Sequence, residues 1–218
     1  MKMNKIILSI SLLVITAISA KAQIKFGIKG GMNVSSISNT SSYEYQIPNN
    51  SPKFTARIGY NIGAFANIHL KGLFSLETEA YYSLEGAKNN FSVTDQYGNI
   101  LSDHGVQDLS YLQIPVMARI TFWKKRLYAE LGPQIGFLLS AKDKPAGEKT
   151  IDDKSDFNTV DCAFVTSIGI MFPAGIGFNL RYNEGVIPVF KNTDISYQTN
   201  STFQVNAFYQ FGGNKSKD

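Results

Sequence analysis

A chain of 218 residues with 21 basic and 17 acidic side chains carries charge on only 17 % of its positions, against about 25 % in ordinary soluble domains. Its single cysteine, Cys162, excludes a disulfide framework, so an exported form would need a large core, an oligomer or a membrane. The formal charge of +4 is concentrated at the N-terminus and does not mark a binder of nucleic acid or acidic substrates.

Residues 1–22 open on Lys2 and Lys5, continue through an apolar run over 6–18 and leave through Ala20, Lys21 and Ala22. A basic start, a short apolar stretch and a small-residue exit form the pattern of a secretory signal peptide, and the run is too short to span a bilayer as a helix. Cleavage is expected between Ala22 and Gln23, giving a mature domain over 23–218 whose first residue is not the cysteine of a lipid anchor. Lys2, Lys5 and Lys21 leave with the peptide, so 18 basic residues remain against 17 acidic ones. No later stretch is long and apolar enough for a helical span, which leaves a soluble domain or a membrane barrel.

Beyond residue 23 the dominant signal is alternation with period two. A weaker strand is expected over 24–34. Next, Ile58, Tyr60, Ile62, Ala64, Ala66 and Ile68 oppose Arg57, Gly59, Asn61, Gly63 and Asn67. Over 74–84, Leu76, Thr78, Ala80, Tyr82 and Leu84 oppose Ser75, Glu77, Glu79, Tyr81 and Ser83. The clearest case is 109–122, where Leu112, Ile114, Val116, Ala118, Ile120 and Phe122 share one face against Tyr111, Gln113, Pro115, Met117, Arg119 and Thr121. A short polar link leads into 127–139, with Leu127, Ala129, Leu131, Ile135, Phe137 and Leu139 on one side. Weaker strands follow over 160–172 and 176–186, and 203–211 closes the series with Phe203, Val205, Ala207, Tyr209 and Phe211 on its apolar face.

The links alternate in length: short near 69–72, 123–126 and 173–175, long and polar over 35–55, 88–107, 140–159 and 189–201. In an up-and-down sheet this places every short turn at one rim and every long loop at the other. The expected fold is all-β: a closed antiparallel up-and-down transmembrane β-barrel of about eight strands, each near ten residues long. Alternation by itself also fits a soluble lipocalin-like barrel with its apolar face inward. The polar face favours the membrane, because it is built from Gly, Asn, Gln, Ser and Tyr rather than many solvating Lys and Glu. Its few charges are of both signs: Lys25, Lys29, Arg57, Arg119 and Arg181 with Glu77, Glu79, Glu130 and Asp161. In a narrow lumen these are expected to pair as a plug, since buried charges persist when paired and hydrogen-bonded. Phe74, Tyr82, Phe122, Phe137, Phe172, Tyr209 and Phe211 sit towards strand ends, as interfacial girdles require.

Several segments together resemble the PorT-type outer-membrane β-barrel family of Bacteroidota. They are Gly27-Ile28-Lys29-Gly30-Gly31-Met32-Asn33, Tyr111-Leu112-Gln113-Ile114-Pro115-Val116, Gly132-Pro133-Gln134-Ile135-Gly136-Phe137-Leu138-Leu139-Ser140, Arg181-Tyr182-Asn183-Glu184-Gly185 and the closing strand over 203–211. The resemblance covers nearly the whole mature chain in the same order and implies an outer-membrane barrel. The family's namesake is linked to protein secretion and gliding, while most members have no assigned activity. Pro115 in a strand calls for a bulge or an orientation that spares its missing N–H.

Little in the chain suggests catalysis. His69 and His104 with Cys162 have no metal-ligand spacing. Ser102, Asp103 and His104 are adjacent in an expected loop, an arrangement that rarely gives a triad its complementary orientations. Asp152, Asp153 and Asp156 lack the glycine turn and distal glutamate of a calcium loop. Cys162 falls on the apolar face. Tyr43 and Tyr45, in the first long loop, are candidates for an interaction surface. The reading is a non-enzymatic structural or interaction protein of the outer membrane of a Bacteroidota-like Gram-negative bacterium. Its expected partners are membrane lipid and an envelope or secretion-machinery protein, with no cofactor, metal or nucleic acid. A narrow pore or transport channel, a lipocalin-like ligand-binding barrel and a loop-borne enzyme are the alternatives, in that order.

Overall fold

The computed structural model describes residues 24–39, 53–94, 100–145, 150–152, 154–191 and 198–212. Among these, the strands in chain order are β1 (Ile24–Asn39), β2 (Lys53–Lys71), β3 (Phe74–Thr94), β4 (Ile100–Phe122), β5 (Leu127–Pro145), the two-residue β6 (Ile151–Asp152), β7 (Val160–Met171), β8 (Ile176–Gly185) and β9 (Gln198–Gln210). Each long strand pairs antiparallel with the next, and β1 pairs with both β2 and β9, Ile28 lying between Ala64 and Tyr209. With β5 joined to β4 on one side and β7 on the other, eight strands form a closed barrel, and β6 rests beside it on Lys142 and Asp143. Closure leaves no edge along the span.

The pleat sends alternate residues to opposite faces, and the chain's alternation makes those faces chemically distinct. Ile62 and Ile168 point outward and are more than half exposed, at 63 % and 61 %, whereas Glu77 and Gln204 point inward and are fully covered, at 0 %. An apolar exterior around a polar interior is the arrangement of a barrel whose surrounding solvent is hydrocarbon. Phe74, Phe122, Phe137, Phe172, Tyr209 and Phe211 are all exposed on this outer surface.

The short connections are tight. Gly72 at φ +63° turns β2 into β3, and Gly175 at φ +89° turns β7 into β8. Between β4 and β5 a single helical turn, Trp123–Arg126, begins with Trp123 at φ +41°, a left-handed value that bulky residues seldom adopt. Pro115 interrupts the β3–β4 ladder between the Thr78–Val116 and Tyr81–Gln113 pairs without shifting its register. The ladder therefore accommodates Pro115 without a bulge, and the Thr78 hydroxyl donates to the Pro115 carbonyl at 3.1 Å.

Strand length departs from the expectation. β3 and β4 run 21 and 23 residues, about twice the 9–11 that cross a bilayer. The surplus lies at the long-loop end, where 88–107 is mostly a β-hairpin rather than a loop. Ser102, Asp103 and His104 therefore belong to β4, opposite Ser92, Phe91 and Asn90. Above the bilayer both faces of a strand meet water, so the sequence there loses the alternation that marks a strand.

Candidate functional site

The lumen is the place where the polar residues of all eight long strands meet, and it is filled in layers. Nearest the short turns, Phe65, Tyr128, Met171 and Phe208 pack into an apolar layer. Phe65 and Phe208 meet edge to face, with ring centroids 5.8 Å apart. The three aromatic residues each lie directly opposite a glycine on the neighbouring strand: Phe65 faces Gly27, Tyr128 faces Gly169, and Phe208 faces Gly177. A Cβ on any of these glycines would collide with the ring. The glycines supply the space that lets large side chains lie flat inside a narrow barrel.

Interleaved with these rings, six buried charges form one alternating chain, Glu79 lying opposite Phe65 and Lys29 opposite Phe208. Arg181 on β8 donates two hydrogen bonds to Glu79 on β3, at 2.8 and 2.6 Å. Glu79 also pairs with Lys29 on β1, which reaches Glu77 at 3.4 Å. Glu77 pairs in turn with Arg119 on β4, and Arg119 pairs with Glu130 on β5 at 2.6 Å. Ser167 donates to the second oxygen of Glu130 at 2.9 Å, and Asn67 donates to Glu77 at 3.1 Å. The guanidinium of Arg119 lies 4.0 Å from the Tyr128 ring centroid, joining the charged layer to the aromatic one. Three cations face three anions, and additional donors satisfy the carboxylates, as buried ions in a low dielectric require.

Towards the long-loop end the lumen remains polar and is then sealed. Glu85 accepts from Ser83 at 2.7 Å, from Gln113 at 3.4 Å and from Asn200. Arg57 pairs with Asp108 at 2.7 Å, and the exposed Lys144 reaches the same carboxylate at 2.8 Å. Higher still, Phe157 and Val189 enter the barrel mouth and pack on Leu109, Tyr111, Leu138 and Ala141. The two segments that bring them are tied together: Asn158 N–H donates to the Val189 carbonyl at 2.9 Å, and Lys191 N–H donates to that of Asp156 at 3.0 Å. Phe157 and Phe190 stack at 4.9 Å.

Of the nine lumen charges taken from the sequence, Lys29, Glu77, Glu79, Arg119, Glu130 and Arg181 are brought together. Lys25 lies nearer the short-turn mouth, and Arg57 and Asp161 lie nearer the long loops. Glu85 and Asp108 are lumen acids that the sequence reading did not single out. His69 is exposed at the end of β2, and Cys162 is a half-buried free thiol on the outer face beside Ile135 and Phe164. Asp152 and Asp156 accept local hydrogen bonds from Lys154 N–H and the Ser155 hydroxyl. No cluster of three potential metal ligands occurs among the described residues. Tyr43, Tyr45, Ala22, Gln23 and Asp153 lie outside the described residues.

Residues 19–191 match the family described as outer membrane protein beta-barrel domain. No curated protein matches the chain. Among solved structures, the chain is similar to neisserial surface protein A (NspA) at 10 % identity, covering 85 % of this chain and 97 % of that one with a TM-score of 0.49. It is similar to Ail, the attachment invasion locus protein of Yersinia pestis, at 13 % identity over 86 % and 98 % of the two chains with a TM-score of 0.43. The outer membrane protein AlkL is 13 % identical over 85 % and 90 %, with a TM-score of 0.32. With an apolar exterior, a closed sheet and a family match across most of its length, the protein belongs to the outer membrane protein beta-barrel domain family and is a barrel of the Gram-negative outer membrane.

Proposed function

We propose that this barrel is a non-enzymatic structural or interaction component of the cell envelope, of the PorT-like kind in a Bacteroidota-like bacterium. It presents its long-loop end to partners and does not conduct through its lumen. The observation that carries the reading is the alternating chain Arg181–Glu79–Lys29–Glu77–Arg119–Glu130, with Phe65, Tyr128 and Phe208 packed against its charges and the Phe157 cluster further towards the long-loop end. An ion crossing the lumen would have to break pairs in which each partner is almost fully buried, at several kcal/mol per uncompensated charge. The long β3–β4 hairpin supports the interaction role, because its surplus length extends past the span that the membrane demands. The motifs quoted above support the PorT-like assignment. The partner on this reading is an envelope or secretion-machinery protein, and the signal-peptide pattern over 1–22 supports export.

Conductance of the purified protein in planar lipid bilayers tests the proposal. No steady current is expected, and a stable single-channel conductance from wild-type protein would replace the scaffold reading with the pore.

A further inference from the structure

The upper lumen holds two acids that the alternating chain of charges does not include. Glu85 on β3 and Asp161 on β7 are 2 % and 7 % exposed, and among the described residues neither makes an ion pair. Arg57 gives its charge to Asp108 at 2.7 Å and donates to the backbone carbonyl of Glu85 at 3.4 Å, not to its carboxylate. Ser83, Gln113 and Asn200 donate to the Glu85 carboxylate, which solvates it without cancelling its charge. Glu85 is in turn the charged group that acts most strongly on Asp161.

The side chain of Gln113 on β4 links the two acids. Its Nε2 donates to Glu85 at 3.4 Å, which turns its Oε1 the other way. That oxygen occupies the space that a Cβ on Gly136 would take, and Gly136 is the direct cross-strand partner of Asp161. Gln113 is 1 % exposed, and its Oε1 accepts no hydrogen bond. Flipping the amide gives no relief, because it would set the carbonyl oxygen against the Glu85 carboxylate. Asn200 is oriented in the same way, with Nδ2 on Glu85 and Oδ1 without a donor. Leu138, the next inward residue after Gly136 on β5, already belongs to the apolar cluster beneath Phe157.

Uncompensated carboxylates and a buried carbonyl oxygen turned towards one of them call for a positive charge. The candidate ligands are all oxygen, the preference of a hard cation, and a divalent ion neutralises both acids at once. We propose that Glu85 and Asp161 share one divalent cation of the calcium class, with the Gln113 carbonyl oxygen as a third ligand and water completing the shell. The ion would join β3, β4 and β7 just below the closed mouth.

The test is isothermal titration with calcium chloride of the chelator-treated barrel in alkyl-glycoside micelles, in about 100 mM sodium chloride to screen exposed charges. Asp161→Asn and Gln113→Met are compared with the control Asp152→Asn/Asp156→Asn on the exposed outer segment, all first checked for heat-modifiable migration. Saturable binding is expected, weakened about tenfold by Asp161→Asn and about threefold by Gln113→Met, while the control changes it less than about twofold. Calcium should also raise the temperature at which heat-modifiable migration is lost in wild type but not in Asp161→Asn. Without calcium, Asp161→Asn should be at least as heat-resistant as wild type, since it removes one of two like charges; a purely structural role for Asp161 predicts the opposite. Absence of saturable binding up to about 10 mM calcium overturns the proposal, as does undiminished binding by Asp161→Asn or a loss confined to the control. If Asp161→Asn does not fold, unchanged affinity in Gln113→Met overturns it instead.

Discussion

Glu79 shows how much a single lumen residue holds together. It accepts both forked N–H groups of Arg181 from the far wall and also pairs with Lys29, with its own side chain almost fully covered. Removing its charge leaves two buried cations short of a partner, which costs about 3–5 kcal/mol, whereas replacing a whole pair by apolar groups is often neutral. Glu79→Gln is expected to lower the urea midpoint strongly, and Glu79→Met/Arg181→Met to recover much of the loss. Trp123, the one tryptophan of the chain, supplies the fluorescence signal. A double variant as unstable as the single one would show that the fork does not act as a unit. The residue types were legible from alternation, but the partners were not, because Glu79 and Arg181 are 102 positions apart and meet only when the sheet curls. Glu85 and Asp108 were missed for a related reason: each lies just past the point where the alternating pattern fades into polar sequence.

At the scale of strands, the pairing of large rings with glycines sets the registers of the lower lumen. Gly27–Phe65, Gly169–Tyr128 and Gly177–Phe208 are direct cross-strand neighbours, and a slip of one residue would turn each ring outward. Gly177→Ala places a methyl group against the Phe208 ring and the Ile170 carbonyl. Such overpacking costs about 1–3 kcal/mol, so the temperature at which heat-modifiable migration is lost should fall. Adding Phe208→Leu should restore part of the difference, and no restoration would place the strain on the backbone instead. The faces of β2, β3, β4, β5 and β9 were readable from period two. The upper ends of β3 and β4 were not, since Lys88-Asn89-Asn90 and Ser102-Asp103-His104-Gly105 place polar or small residues at consecutive positions and resemble a loop.

For the molecule as a whole, the outer mouth is closed by two chain segments far apart in sequence, 154–159 and 186–191. They are held by backbone hydrogen bonds to each other and by Phe157, which is 1 % exposed. Phe157→Ala removes the side chain that seats this cover and should make the segment around Lys154 and Lys191 cleavable by trypsin in intact vesicles. Heat-modifiable migration should stay unchanged, because the barrel wall does not depend on the cover. Resistance equal to wild type would mean that the backbone bonds hold the mouth without the ring. That the barrel closes was legible from the even strand count and alternating link lengths. The cover was not, because its segments read as ordinary polar loops around a few aromatic residues.

The fork between Arg181 and Glu79 also bears on the order of assembly. Counting around the circumference, β3 and β8 are the third and seventh of eight staves, so the bond runs along a diameter. No hairpin, and no growing sheet short of β8, can make it. Interactions that form after the rate-limiting step change the escape rate rather than the folding rate. The fork, absent while the first strands insert even though Glu79 already pairs with Lys29, would then set how long the finished barrel survives before it opens.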